Sequence, residues 1–215
     1  ESELMVRVRN ERLEQHFPTM VMVREFEGVE SLNTDLESVI VKLSEELGET
    51  DQNAATNGDS TTKGGFQTPA KMSFLDIQNK AVKFLTGNVI FPSIEEYLVQ
   101  VFNVDPLYTA FNVKSWANQL GEGDWQSPHI HPSEYTVISG IYYVQVPETI
   151  APAGHLEFIN PALASVAIGG QQTSRLHKPL SGQVVLFPPH YMHFVHPISG
   201  PDKRSIVAFD VTLER

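Results

Sequence analysis

A mainly β fold with helical additions, a sandwich or jelly roll, is predicted by three observations. After Asp105-Pro106 the chain falls into short runs of β-branched and aromatic residues: 108–119, 135–146, 155–158, 165–168, 175–177, 183–187, 194–197 and 205–213. Glycine and proline turns separate them, among them Gly121-Glu122-Gly123, Gly169-Gly170, Ser181-Gly182 and Ser199-Gly200-Pro201. Helical periodicity, by contrast, occurs only ahead of residue 105. One domain is expected over 1–215, with a strand, supporting helices and a long loop at 49–65 in the first part and the β core in 106–215.

The elements follow in order. Phe17-Pro18-Thr19 leads into a strand over Met20 to Phe26, since proline cannot donate to a ladder and suits a strand's entry. Leu32, Leu36, Val39, Ile40, Leu43 and Leu47 recur at spacings of three and four, one stripe of a helix that Asn33 or Ser31 would cap and Gly48 would end. From Glu49 to Gly65 almost nothing is apolar, and the stretch reads as a loop that could fold over a site as a lid or run as a plain connection. Two helices follow, about Ser73 to Leu85 and about Pro92 to Phe102. Pro92 suits a first helical position, and Glu95 and Glu96 suit the positive end of the dipole.

Composition removes several classes of function. The chain has no cysteine, so disulfides, thiolate ligands and cysteine nucleophiles are excluded, and a metal would need His, Asp or Glu. A net charge of −11 argues against duplex nucleic acid, whose binding rests on Lys and Arg. No apolar run reaches the roughly 20 residues that span a bilayer, and the first residues lack a signal peptide's pattern, so the expected location is cytoplasmic. A homodimer is left open.

The chemistry is concentrated in two segments. In Ser127-Pro128-His129-Ile130-His131 the histidines stand two apart, which in an extended chain places both imidazoles on one face. Gly182-x5-Pro188-x4-His193 ends a later β run, 62 residues beyond His131, in a cluster of His190, His193 and His196. Alternation puts His193 with Tyr191 and Val195 on one face and His190, Met192 and His196 on the other, but Pro188-Pro189 can interrupt it, so strand geometry leaves the third ligand open. Three protein ligands with open positions suit non-heme iron oxygenases.

These motifs, with Ser139-Gly140-Ile141-Tyr142-Tyr143 and Arg204, resemble the 2-oxoglutarate- and Fe(II)-dependent dioxygenases, in a branch near the prolyl hydroxylases. The resemblance covers roughly 108–211 and implies a double-stranded β-helix. It implies His129, His131 and His193 as metal ligands, and Arg204 with Tyr143 on the distal carboxylate of 2-oxoglutarate. It further implies dioxygen as co-reactant and hydroxylation of a C–H bond in an unidentified peptide or small molecule. His131 stands where most of that family has a carboxylate, and Glu134 or Glu157 could supply the charge instead. The same histidines also resemble the cupin motifs, with Glu134 arriving early and His190 in place of a glycine; a cupin-type metalloenzyme would give Arg204 no role. A non-catalytic β-sandwich with structural histidines is the third alternative. Trp116, Trp125 and Tyr135 are candidates to line a substrate pocket or to fill the core.

Overall fold

The computed structural model describes residues 18–48, 61–131, 134–161 and 173–214. Its strands are β1 Met22–Glu25, β2 Thr62–Lys63, β3 Phe66–Gln67, β4 Phe111–Leu120, β5 Trp125–His129, β6 Thr136–Gln145, β7 Leu156–Ile159, β8 Ser174–His177, β9 Gln183–Phe187, β10 His193–Val195 and β11 Arg204–Leu213. They form a six-stranded sheet in the order β1-β9-β6-β11-β4-β3 and a five-stranded sheet in the order β2-β5-β10-β7-β8. Every strand pair in both is antiparallel. The expected run at 165–168 lies outside the described residues.

Strand periodicity explains the layering. On β11, Val207, Phe209 and Val211 join the core beneath the helices, while Ile206 and Ala208 join a second core with residues of both sheets. β9 divides the same way, Val184 and Leu186 on one side and Val185 and Phe187 on the other. A sheet covered on both faces needs apolar residues throughout, which is why β9 is buried along its whole length. The result is helices, large sheet and small sheet in three layers, the double-stranded β-helix that the sequence predicts.

The helical half departs from expectation in three places. α1, Glu30–Leu47, ends at Gly48 as read, but no side chain caps its start. Asn33 is inside the helix and accepts the Tyr142 hydroxyl at 2.6 Å, tying α1 to β6. The helix expected from Ser73 begins only at α2, Lys80–Leu85, because Asn79 Oδ1 accepts from the N–H groups of Ala81 and Val82. Upstream, Ser115 on β4 captures the chain, bonding Ser73 Oγ and the Leu75 N–H. Finally, the two later helices are joined. A π-turn at Thr86–Ile90 continues α2 into α3, Phe91–Phe102, with Phe91 N–H returning to Thr86 O. Pro92, with no N–H to give, follows where the ladder has already widened.

The predicted long loop ends in structure. β2 pairs with β5 in one sheet and β3 with β4 in the other, so the turn at Gly64-Gly65, with φ of 72° and 63°, bridges the two layers. Residues 49–60 of that loop lie outside the described residues. Among the described residues no helix is long and apolar enough to cross a membrane.

Gly140 is a close-approach position. Its register partners Phe209 and Leu186 close over it on the helix side, where an added Cβ would meet the Phe209 ring and lie 2.7 Å from Leu186 Cδ2. Gly140→Ala is expected to destabilise the protein by about 1–3 kcal/mol, checked by urea denaturation.

Candidate metal centre and cosubstrate pocket

The register of the small sheet assembles the site. β5 and β10 pair antiparallel with His129 directly opposite His193, and their rings stand 4.3 Å apart between centroids. Two residues on, the His131 N–H donates to Pro189 O, which holds the chain beyond β5 against the segment leading into β10. The ligand-capable atoms of His129, His131 and His193 all lie within 4.8 Å of one another, a cluster that could hold a metal ion.

Hydrogen bonding settles which nitrogen faces the centre. His129 Nδ1 lies 2.7 Å from Ser127 O and His193 Nδ1 2.8 Å from Tyr191 O. A carbonyl oxygen only accepts, so each Nδ1 carries the proton and each Nε2 keeps its lone pair, as a metal ligand requires. The third ring is oriented by a carboxylate: His131 Nδ1 lies 2.9 Å from Asp210 Oδ1. Electrostatics keep the pair neutral. Burial lowers the His129 pKa to about 4, with repulsion from His131 adding to it, and burial with repulsion from His129 holds His193 well below the usual imidazole range.

A cavity of about 400 Å³ opens beside the three rings. Trp116, Phe187, Ile206 and Ala208 form its apolar wall, and Thr61, Gln67, Thr68 and Gln126 its polar rim. Of the expected aromatics, Trp116 lines it and stacks on His131 at 5.8 Å, whereas Trp125 and Tyr135 do not. The rim residues Thr61, Gln67 and Thr68 belong to the stretch around the predicted lid.

Arg204 and Tyr143 do not line this cavity; Tyr143 packs in the same core as Phe187, Ile206 and Ala208, which form its wall. Both are fully buried, and by strand alternation Arg204 shares its face of β11 with Ile206, Ala208 and Asp210. The guanidinium carbon sits 5.1 Å from the centre of the Tyr143 ring, yet no guanidinium nitrogen, nor the Tyr143 hydroxyl, has a hydrogen bond of full geometry. Burial lowers the pKa of Arg204 and raises that of Tyr143, each group opposing the other's shift. A buried cation is costly, and here Tyr143 is the group beside it that offsets part of that cost.

Two expected alternatives fail. Glu134 is exposed and accepts from Tyr135, and Glu157 on β7 is held by Ser174 and His196, so neither reaches the three rings. His190 is exposed and His196 is bound to Glu157, leaving His193 as the histidine of its cluster that joins the site. Sequence reading missed Asp210. The signal was available, because counting in twos from Arg204 through Ile206 and Ala208 puts a carboxylate on the inward face of an apolar strand.

A β-helix with three histidines at one end and a buried arginine within is the arrangement that the resemblance to the 2-oxoglutarate- and Fe(II)-dependent oxygenases implies. A family model described as "Putative 2OG-Fe(II) oxygenase" matches residues 114–210, the stretch that carries all three histidines, Tyr143, Arg204 and Asp210. Residues 114–210 are thus similar to this oxygenase family, whose metal the three histidines could hold. No curated protein sequence matches the chain. Among solved structures, a prolyl-4-hydroxylase from Pseudomonas putida is similar at 13% identity and a TM-score of 0.62, over 89% of this chain and 92% of that one. A prolyl hydroxylase from Trichoplax adhaerens, in complex with a hypoxia inducible factor peptide fragment, is similar at 14% and 0.61, over 89% and 83%. HygX from Streptomyces hygroscopicus, with nickel and 2-oxoglutarate bound, is similar at 12% and 0.59, over 90% and 82%. At these identities the likeness is one of fold.

The neutral histidines give a pH signature to the metal-free protein. His129 has its pKa lowered from 6.5 to about 4 on folding, so between those values the unfolded chain binds more protons. The stability this group contributes is complete above about pH 6.5 and is lost as pH falls through 4. In chelator, wild type is therefore expected to lose stability relative to His129→Gln across that window, as measured by denaturant midpoints.

Proposed function

We propose that this protein couples oxidative decarboxylation of 2-oxoglutarate to hydroxylation of a C–H bond in a peptide or small-molecule substrate. In this reading His129, His131 and His193 hold Fe(II) through their Nε2 atoms, and Arg204 with Tyr143 receives the distal carboxylate of 2-oxoglutarate. The observation that carries it is the fully buried guanidinium of Arg204, whose nitrogens have no hydrogen bond within the protein, on the same face of β11 as the Asp210 that orients one of three converging imidazoles. A structural arginine would have a protein partner. A planar fork without one matches a carboxylate that arrives from outside.

Bound Fe(II) supplies the redox chemistry by which 2-oxoglutarate, dioxygen and R–H become succinate, carbon dioxide and R–OH. The protein's own residues do the rest. Arg204 and the Tyr143 hydroxyl donate to the cosubstrate's far end and fix its direction. Phe187, Ile206 and Ala208 exclude water between that end and the histidines, which strengthens those charge interactions. Trp116 packs on His131 and limits its rotation.

The chain acts, in this proposal, as one domain over 1–215 in the cytoplasm, with no nucleic-acid partner. In support, the helices and the outer face of the large sheet share one core, and the net charge is −11. The structure of a similar prolyl hydroxylase holds a peptide, which supports a peptide substrate here; a homodimer is compatible with the proposal. A cupin-type site would need a glutamate at the metal, and Glu134 turns away from it.

Anaerobic Fe(II) titration with and without 2-oxoglutarate tests the assignment. Wild type should show the charge-transfer absorption of the chelate. His131→Ala and His193→Ala should abolish iron binding, and Arg204→Ala should keep the metal while weakening 2-oxoglutarate by about 10-fold or more, the value of a lost charged hydrogen bond. Unchanged 2-oxoglutarate affinity in Arg204→Ala would refute the role given to that arginine.

A further inference from the structure

We propose that Asp210 is a positioning residue for the metal centre, supplying through His131 the negative charge that the three ligands themselves lack. The inference rests on the reading of His129, His131 and His193 as iron ligands.

The three rings are not held alike. His129 and His193 donate to neutral backbone carbonyls two residues earlier along the chain. His131 alone is held by a charged side chain from another strand, with Asp210 Oδ1 at 2.9 Å and Oδ2 at 3.1 Å from Nδ1. The carboxylate is fixed from a second side, because Ser139 Oγ donates to Oδ1 at 2.6 Å and β6 sets Ser139 in register with Asp210. Trp116 stacks on the same imidazole, so its ring has little freedom. Both side chains are mostly shielded, 11% exposed for His131 and 14% for Asp210, so the attraction is weakly screened.

A carboxylate accepting from the far nitrogen of a ligating imidazole fixes its tautomer and makes the metal-facing nitrogen more basic. His131 stands at the position where the resemblance described above leads one to expect a carboxylate ligand. Here a carboxylate lies behind the ring instead. The centre thus combines three neutral donors with one anion placed a ring's width away, and Ser139 keeps that anion aimed.

The test compares anaerobic Fe(II) affinities of the full chain. Asp210→Asn keeps an acceptor toward His131 but removes the charge; it is expected to bind Fe(II) about 10–100-fold more weakly with an unaltered melting temperature of the metal-free protein. Ser139→Ala, which frees the carboxylate without neutralising it, should weaken binding by a smaller factor, and it carries the test if Asp210→Asn does not fold. A second comparison reads the coupling directly. His131→Asp sets two carboxylates against each other and should bind Fe(II) more weakly than His131→Asp/Asp210→Asn, in which the anion has moved to the ligand position. Wild-type affinity in Asp210→Asn, or the reverse order within the second pair, overturns the role of Asp210. Failure of wild type itself to take up Fe(II) overturns the metal reading beneath it.

Discussion

The pairing of His129 with His193 across two antiparallel strands is the constraint on which the site depends. Opposite residues on such strands have their Cβ atoms about 5 Å apart, so the register alone brings two imidazoles to one point without any long or flexible side chain. His131, two residues past the end of β5, joins them because its N–H is held by Pro189 O. A slip of one residue in β10 would present Met192 or Phe194 to the centre and turn His193 outward. Register is therefore defended on the other side too, where β7 pairs with β10 from Leu156 to Phe158.

The same rule lets one sheet serve two purposes. The helices bury Val207, Phe209 and Val211 on the outer face of β11, and this apolar contact holds the strand in place. Its inner face is then able to carry Arg204 and Asp210, residues that contribute little to folding and cost free energy when buried. Tyr142 and Tyr143 show the division within one dipeptide. Tyr142 points outward and bonds Asn33 of α1, while Tyr143 points inward beside Arg204.

How much of this was legible in the sequence follows from the range of the interactions. The β core and the His129 and His131 pair depend on alternation and short-range pattern and could be read directly, whereas Arg204 was singled out only through resemblance. The helix starts were misjudged because their determinants are tertiary. Ser115, forty residues along the chain, bonds Ser73 Oγ and the Leu75 N–H and holds that segment against β4, and Asn33 is drawn to Tyr142, 109 residues away. Asp210 was missed for a related reason, since its pairing with His131 spans 79 residues and leaves no local motif. The glutamates weighed in its place, Glu134 and Glu157, are nearer in sequence to His131 but lie on the wrong faces.

The spacing of the two inward charges on β11 matters as much as their presence. Asp210 and Arg204 are six residues apart, roughly 20 Å of extended strand, with Ile206 and Ala208 between them on the same face. Two positions apart, carboxylate and guanidinium would reach each other and form a buried pair. The imidazole would then lose its acceptor, and the guanidinium would have no capacity left for an anion. Separation by an apolar interval keeps the two charges apart, Asp210 beside His131 at one end and Arg204 beside Tyr143 at the other. The interval is itself the wall of the cavity. A single strand thereby places both charges and, between them, part of the cavity wall.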